Sequence, residues 1–350
     1  MQTEPSSNAS LELEAHAIER KEGGAFHCEH GDTLLSGALR AGVGISYECN
    51  AGECGSCKVT LVSGEVRDLR PEAGGIRPRE RERGKVLACQ CIPQGPCTVS
   101  FKEDADAAPR VTPEVRRAKY LGYQHVTHDI WEFTFQTSNP AEFIPGQYAL
   151  LTLPGMSERR SYSMSNLPNS DGIWQFQIRR VPNGAATGIL FEKMREGDIC
   201  TLDGPYSNAY LRDDTPRDIV CIAGGSGLAP MLSVVRGALI QPKLKEVGIH
   251  LFYGGRQPRD LFTLDRFADL APHRERINFI PAVSCDDDAL GEWAGERGFI
   301  HDCVGRRLQD RFQGCEFYMA GPPPMVEAVR RMLILEQSVA TERIHYDRFF

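Results

Sequence analysis

Four cysteines in the first part of the chain have the spacing of iron–sulfur ligands. Four residues separate Cys49 from Cys54, two separate Cys54 from Cys57, and Cys89 follows after a long gap. This C-x4-C-x2-C…C pattern is typical of a 2Fe–2S cluster that is held by four thiolates. The sequence therefore predicts a metal site in which these four cysteines are the ligands.

The residues between the cysteines suit that chemistry, although two questions stay open. Gly52 and Gly55 permit unusual backbone angles, so the loop can wrap a cluster and direct N–H groups at its sulfur atoms. A structural zinc site is the alternative, but zinc sites usually combine two short cysteine pairs, and here only one short pair accompanies Cys49. Spacing alone does not separate Cys91 from Cys89 as the fourth ligand.

Two loops in the last third of the chain could bind a dinucleotide. Gly225-Ser226-Gly227 follows the apolar run 219–223 and precedes a helical pattern with Pro230 in its first turn. Glycines at such a position let the backbone approach a pyrophosphate, and the helix N-terminus favours the anion. The third glycine of the usual fingerprint is missing. A second loop, Gly321-Pro322, follows another strand and should lie at the same edge of a parallel sheet.

The middle of the chain contains a further pattern that could bind phosphate. In Arg160-Ser161-Tyr162-Ser163 the arginine could grip phosphate with its planar fork, and the tyrosine on the same face could stack on a ring. The segment from Gly184 to Thr187 comes just before the helical run 188–194. Its N–H groups and hydroxyl could form a second phosphate contact.

Local patterns divide the chain into three folded parts. In residues 11–102, a helix after Asp32 or Thr33 and a strand at 58–62 predict a small α+β domain. The acidic, alanine-rich and proline-bounded stretch 103–112 predicts a linker. The mixed charges of 77–85 predict a solvated loop.

The two later parts differ in their periodicity. In residues 113–213, alternating aromatic and polar residues at 131–136 and 174–179 predict an antiparallel β-barrel. In residues 214–350, strands alternate with helices, which predicts an α/β domain with a parallel sheet. The strands are expected at 219–223, 250–253, 277–283 and 316–320, and the helices at 229–240 and 324–335.

Composition excludes several classes of protein. The 350 residues are 41% hydrophobic and 25% charged, which excludes wholesale disorder, and a net charge of −7 disfavours nucleic acid as a partner. The uncharged stretch 219–235 is interrupted by glycine and proline and is too short to span a bilayer. The first ten residues do not resemble a secretory signal, and twelve cysteines without one favour metal binding over disulfides. We therefore expect a cytoplasmic protein with no membrane partner.

These motifs together resemble known families. Residues 11–102 resemble a plant-type ferredoxin, and residues 111–350 resemble the ferredoxin–NADP reductase superfamily. The order of cluster, flavin and nicotinamide parts is similar to that of the NADH-dependent reductase components of bacterial multicomponent oxygenases. The resemblance implies a β-grasp ferredoxin domain, a barrel that binds FAD and a parallel-sheet domain that binds NADH.

The resemblance also implies roles for individual residues. Arg160 and Ser161 would contact FAD, Tyr162 would stack on the isoalloxazine ring, and Ser163 would approach its reactive nitrogen. Phe349, with Phe350 as the second choice, would cover the flavin. Ser163, Tyr162 and Phe349 are thus the expected catalytic residues.

The other motifs receive roles in the same way. Gly184 and Thr187 would form the second phosphate loop, and the loops 225–230 and 321–323 would bind the pyridine nucleotide. In similar sequences the first cysteine of an LACQ segment is a cluster ligand, which favours Cys89. Many relatives have cysteine where this chain has Ala320, so no catalytic thiol is predicted.

The implied activity is electron transfer from NADH through FAD and a 2Fe–2S cluster to a protein acceptor. That acceptor would be a ferredoxin or the hydroxylase component of an aromatic or hydrocarbon mono- or dioxygenase. A reductase of deoxysugar biosynthesis and a non-catalytic redox-sensing module are the alternatives. NADH is expected over NADPH because Arg256 alone follows the strand ending at Tyr253, although Arg259 lies close behind.

Overall fold

The computed structural model describes residues 15–214, 216–285 and 293–350. Contacts between residues divide the chain after Pro109 into two compact units, and each is described by itself. No helix within these described ranges is long and apolar enough to cross a membrane.

The first unit is built on a five-stranded mixed sheet with the order β2-β1-β7-β3-β5, beside a two-stranded sheet β4-β6. Its strands are β1 (His16–Arg20), β2 (Ala25–Cys28), β3 (Lys58–Ser63), β4 (Val66–Asp68), β5 (Lys85–Leu87), β6 (Cys91–Pro93) and β7 (Cys97–Ser100). Helix α1 (Leu34–Arg40) begins at Thr33, whose Oγ1 accepts a hydrogen bond from the Ser36 N–H at 3.2 Å. The apolar face of α1 is buried against the sheet and forms the core of this unit.

Two stretches of this unit differ from the simplest sequence expectation. Residues 77–85, predicted as a solvated loop, include helix α2 (Pro78–Arg81), because Glu80 caps its start and pairs with Lys58 at 2.9 Å. The first part of the predicted linker 103–112 packs on this unit. Asp104 accepts a hydrogen bond from Ser46 at 2.7 Å, and Ala107 is buried.

The second unit begins with a six-stranded antiparallel sheet in the order β11-β10-β13-β8-β9-β12. Its strands are β8 (Glu114–His125), β9 (Ile130–Gln136), β10 (Tyr148–Thr152), β11 (Arg160–Ser163), β12 (Ile173–Arg179) and β13 (Ile199–Tyr206). A bridge between Met164 and Phe176 joins the two outer strands, so the sheet closes into a barrel. Helix α3 (Ala185–Gly188) and the π-helical turn at Ile189–Lys193 follow β12.

The rest of the second unit is a parallel sheet with the order β17-β16-β15-β14-β18-β19. Its strands are β14 (Asp218–Gly224), β15 (Ile249–Gly255), β16 (Ile277–Val283), β17 (Glu296–Arg297), β18 (Cys315–Gly321) and β19 (Ile344–Arg348). Helix α4 (Leu228–Ile240) packs on one face, while α5 (Ile300–Leu308) and α6 (Pro323–Arg331) pack on the other.

The two edge strands and α5 were missed at the sequence level. β17 has two residues and β19 carries mostly polar side chains, so neither shows the apolar run of a buried strand. The predicted helix 324–335 ends earlier, because a π-helical turn at Met332–Glu336 replaces its last part.

Candidate functional site

The predicted ligand sulfurs of the first unit form two pairs. Cys49 Sγ lies 3.3 Å from Cys54 Sγ, and the Cys57 thiol donates a hydrogen bond to Cys89. Within the described ranges, no three His, Cys, Asp or Glu side chains converge as ligands of a single metal ion. A zinc site needs four ligands around one ion, whereas a 2Fe–2S cluster takes two from the protein on each iron. The paired thiols therefore fit the two-iron cluster.

Donors from the loop point at these sulfurs. They are the Ala51 and Cys54 N–H groups to Cys49 Sγ (3.4 Å each), the Ser56 N–H to Cys54 Sγ (3.5 Å) and Gln90 Nε2 to Cys89 Sγ (3.4 Å). The hydrogen bond from the Cys49 thiol lowers the pKa of Cys54 to about 5, and the one from Cys57 lowers the pKa of Cys89. One sulfur of each pair is thus stabilised as the thiolate, which is the form that binds metal.

We call residues 49–57, which carry three of the predicted ligands, the cluster loop. Its backbone requires glycine at two positions. Gly52 and Gly55 have φ values of +83° and +73°. A Cβ at Gly55 would lie 2.4 Å from the carbonyl oxygen of Gly75, so no larger residue fits there. The Gly75 N–H also donates to the Gly52 carbonyl at 2.9 Å, which fixes the segment around Gly75 against the loop.

The two candidates for the fourth ligand position lie in different surroundings. Cys89 lies in the turn 88–90 between β5 and β6. Cys91 lies on β6 opposite Asp68, where burial raises the pKa of its thiol to about 12. The turn brings Cys89 to Cys57, and Cys91 is not part of either sulfur pair.

The predicted flavin residues lie on β11, the first strand in the order of the barrel sheet. The Arg160 side chain is 42% exposed and pairs with Glu158. Tyr162 packs partly against the barrel core, and burial raises the pKa of its phenol to about 12. Ser163 is buried opposite Tyr148 of β10. An exposed cation and a half-buried ring on one strand fit an anionic cofactor with an aromatic ring system.

The second predicted phosphate loop is shaped by its own threonine. Gly184 is the N-cap of α3, and the Thr187 hydroxyl donates to the carbonyl oxygens of Val181 and Gly184 at 3.2 and 3.3 Å. A Cβ at Gly184 would lie 2.5 Å from Thr187 Oγ1. The Thr187 hydroxyl thus stabilises the conformation of this loop through its two hydrogen bonds.

The two nucleotide loops lie together at the carboxyl ends of neighbouring strands. β14 pairs with β18, and the loops that follow these strands come into backbone contact. A Cβ at Gly227 would lie 2.0 Å from the carbonyl oxygen of Ala320, and Gly321 has a φ of +149°. Pro230 is buried in the first turn of α4, and Pro322 precedes α6. Because the Ala320 carbonyl lies so close to Gly227, a residue larger than glycine at position 227 would force the backbone to shift.

Two charged residues near these loops were missed at the sequence level. Arg179 ends β12, and its Nη1 lies 3.7 Å from the Cβ position at Gly225. Its Nε donates to Asp129 at 2.6 Å. The Asp260 carboxylate accepts hydrogen bonds from the N–H groups of Arg256 and Gln257 at 3.0 and 2.9 Å. Two adjacent arginines at the end of a predicted strand were the available signal for Arg179.

The C-terminal aromatic residue lies beside the second nucleotide loop. The Phe349 N–H donates to the Gly321 carbonyl at 2.9 Å, and the ring packs against the core on the α4 side of the sheet. Phe350 is 58% exposed. Asp347 accepts a hydrogen bond from the Ser207 hydroxyl at 2.9 Å, which ties β19 to the loop after β13. Arg256, the arginine predicted to follow β15 near the nucleotide, has an exposed side chain.

Three family descriptions match successive parts of the chain. Residues 18–94 match a 2Fe-2S iron-sulfur cluster binding domain, residues 119–210 an oxidoreductase FAD-binding domain, and residues 221–331 an oxidoreductase NAD-binding domain. These matches confirm the predicted cofactors, namely a 2Fe–2S cluster, FAD and NAD.

Full-length relatives agree with this order of domains. The chain is 38% identical over 327 residues to the ferredoxin–NAD(P)(+) reductase CarAd of Metapseudomonas resinovorans, covering 92% of this chain and 96% of that protein. It is 34% identical to the ferredoxin–NAD(+) reductase component of the alkene monooxygenase system of Xanthobacter autotrophicus, covering 94% and 98%. The solved ferredoxin reductase in carbazole 1,9a-dioxygenase superposes with a TM-score of 0.87 at 33% identity, covering 96% and 99%.

These comparisons confirm the predicted fold class and the resemblance on which the functional prediction depends. Both the cluster domain and the FAD and NAD domains are matched, and nearly the whole length of each relative is covered. The chain therefore belongs to the family of NADH-dependent flavin and iron–sulfur reductases that includes the ferredoxin–NAD(P)+ reductase components of oxygenase systems.

Proposed function

We propose that this chain takes electrons from NADH and delivers them to a ferredoxin or to the hydroxylase component of an oxygenase that acts on aromatic or hydrocarbon substrates. The observation that carries the proposal is the pairing of four thiols in a chain that also has flavin and nicotinamide domains. When bound, FAD accepts two electrons as a hydride and the cluster passes on single electrons, which is chemistry that no side chain supplies.

The cluster loop stabilises one sulfur of each pair, Cys54 and Cys89, in the thiolate form that binds metal. Cys49, Cys54, Cys57 and Cys89 would hold the cluster. N–H groups directed at the sulfurs stabilise negative charge there, which influences the potential at which a cluster is reduced. The positive-φ glycines keep side chains away from the loop, so its backbone can surround the group closely.

The second unit would position the organic cofactors. Arg160 would contact the FAD phosphates, Tyr162 would pack against the flavin ring, and Ser163 would lie near its reactive nitrogen. Gly225 and Gly227 would let the backbone approach the NADH pyrophosphate, and the Arg179 guanidinium beside Gly225 would neutralise part of its charge. The aromatic ring of Phe349 would cover the flavin and exclude water from it.

The preference for NADH is supported by the segment that follows β15. Asp260 fixes the Arg256 and Gln257 N–H groups and places a carboxylate in the turn. A carboxylate there disfavours the additional phosphate of NADPH by repulsion. We expect a higher kcat/KM with NADH than with NADPH, measured on the same preparation with one acceptor.

The Arg179 assignment has its own test. Arg179→Gln removes a charged contact with the nucleotide, which should raise the KM for NADH about tenfold while kcat changes little. Arg180→Gln is the matched control, because Arg180 pairs with Glu192 on the surface. An unchanged KM in Arg179→Gln would contradict the assignment.

The whole proposal is tested by reconstitution. The purified chain, supplied with iron, sulfide and FAD, should show flavin and iron–sulfur absorption and should turn over many equivalents of NADH with cytochrome c or a plant-type ferredoxin. A single reduction without turnover would favour a redox sensor instead. Adding candidate hydroxylase components separately would then identify the acceptor, and a deoxysugar enzyme as the preferred acceptor would replace the oxygenase.

The cytoplasmic location stays a prediction. It is supported by the twelve cysteines, which all lie in the described ranges and form no disulfide there. Free thiols in this number are typical of proteins from reducing compartments.

A further inference from the structure

A basic segment of the first unit stands out by its charge. Between Val66 and Lys85 the sequence carries seven basic and four acidic residues, whereas the whole chain has a net charge of −7. We call residues 66–85 the basic segment. A local excess of positive charge on an otherwise acidic chain creates an electrostatic field that can attract an acidic partner.

The basic segment packs directly on the cluster loop. The Gly75 N–H donates to the Gly52 carbonyl at 2.9 Å. The Arg70 guanidinium donates to the Ala51 carbonyl at 2.5 Å and to Glu53 Oε1 at 2.8 Å. A protein bound to this segment would therefore lie beside the loop that carries three of the four predicted cluster ligands.

Ion pairs within the first unit occupy two of the acidic side chains and leave the surface of the basic segment positive. Asp68 accepts from Arg81 at 2.6 Å, and Glu80 accepts from Lys58 at 2.9 Å. The exposed basic residues of the segment are Arg67, Arg77, Arg79, Arg83 and Lys85, and its exposed acidic residues are Glu72 and Glu82. The side chains that face solvent are thus mostly cationic, and Leu69 of the same segment is an apolar side chain that is 38% exposed.

We propose that the basic segment is the docking surface for an acidic electron-acceptor protein, an inference that rests on the proposed function. Complexes between electron-transfer proteins are transient and have small interfaces, so their specificity depends on electrostatic steering more than on buried area. Opposite charges raise association rates by one to three orders of magnitude at low ionic strength. An exposed apolar side chain such as Leu69 suits the apolar part of such an interface.

The test compares two acceptors of opposite charge. The variant Arg77→Glu/Arg79→Glu/Arg83→Glu reverses three exposed charges of the basic segment. The control Arg117→Glu/Lys119→Glu/Arg331→Glu makes the same change of net charge at exposed positions of the second unit. Each reconstituted full-length protein is assayed with NADH and either a strongly acidic plant-type ferredoxin or the basic protein cytochrome c, between low and high ionic strength. The cluster absorption of each variant is measured first, so that only loaded protein is compared.

The expected result is selective. The basic-segment variant should lose about tenfold or more in kcat/KM for the acidic ferredoxin at low ionic strength, and its rate should depend less on salt than that of the unmodified protein. Its rate with cytochrome c should not fall, and the control should keep the unmodified rate with ferredoxin. Equal losses in both variants would overturn the proposal, because the general charge of the chain would then set the rate.

Other outcomes separate the inference from the proposed function. If the unmodified protein reduces ferredoxin with NADH and the basic-segment variant does so equally well, the docking surface is wrong and the proposed function stands. If the unmodified protein reduces neither acceptor, both are wrong. Sedimentation at low ionic strength tests a second copy as the occupant. A dimer that the basic-segment variant alone abolishes would overturn docking of an acceptor.

Discussion

The cluster loop and the nucleotide loops both depend on glycine, but different forces hold them in place. Polar contacts fix the cluster loop, including N–H groups on sulfur and the bonds from Arg70 to Ala51 and Glu53. Close backbone packing fixes the nucleotide loops, where Gly227 lies against Ala320 and both flanking strands are buried. The first site should therefore be sensitive to changes of ligand and charge, and the second to added volume.

The largest effect is expected from the cluster ligands. Cys54→Ser should lower the rate of NADH-driven cytochrome c reduction about a hundredfold or more. Even a residue that only hydrogen-bonds to a metal ligand costs about 10–100-fold in metal affinity or activity when it is replaced, and Cys54 is itself a predicted ligand. The reduction of bound FAD by NADH should persist in this variant, and it is measured as a loss of flavin absorption. Cys89→Ser should behave in the same way.

The control for this prediction also decides between the two candidate fourth ligands. Cys91→Ala should keep the cluster absorption, because Cys91 lies on β6 outside the sulfur pairs. Loss of that absorption in Cys91→Ala with retention in Cys89→Ser would reverse the assignment.

The next largest effect is expected from added volume at the nucleotide loops. In Gly227→Ala the new methyl group would meet the Ala320 carbonyl at 2.0 Å, so the backbone of two buried loops must shift. We expect a loss of about 2 kcal/mol in the free energy of unfolding of the second unit and a raised KM for NADH. Urea unfolding followed by tryptophan fluorescence measures the first effect.

Gly305→Ala is the matched substitution on α5, where a Cβ would meet no atom within 4 Å. It should be neutral or stabilising by up to about 1 kcal/mol. If the two substitutions had equal effects on stability, close backbone packing would not be what distinguishes the nucleotide loops.

A smaller effect is expected from the charged contacts around the cluster loop. Arg70→Gln removes the ion pair with Glu53 and weakens the bond to the Ala51 carbonyl. Because the pair is partly exposed, the loss of stability should be below about 1 kcal/mol, while the cluster should be lost to a chelator a few times faster. Arg67→Gln, exposed on β4, should release the cluster at the unmodified rate. Equal release rates in the two variants would show that Arg70 does not brace the loop.

The two sites also differ in how far the sequence predicts them. Ligand spacing is local, so Cys49, Cys54 and Cys57 could be assigned together, and apolar runs marked β14, β15, β16 and β18 because both faces of these strands are buried. Two adjacent arginines mark the end of β12, but that signal alone does not assign Arg179, since its position beside Gly225 depends on how the barrel packs on the parallel sheet. The same holds for Asp347 and Ser207, which are 140 residues apart in the chain. The helix within 77–85 was missed because Lys58, which stabilises it, comes from another strand.

The smallest effect is expected on the pH dependence of the free energy of unfolding, and it concerns the buried parallel sheet of the second unit. Burial lowers the pKa of His250 on β15, and its Nδ1 shares a hydrogen bond with Asn278 at 3.1 Å. The unfolded chain therefore binds a proton at this residue more readily than the folded chain does, so the stability that His250 contributes is lost as pH falls below about 6.5. His250→Gln should make the decline in free energy of unfolding between pH 7.5 and 5.5 less steep, measured by urea unfolding at each pH. A decline of the same steepness in His250→Gln and the unmodified protein would show that groups other than His250 set the pH dependence of this sheet.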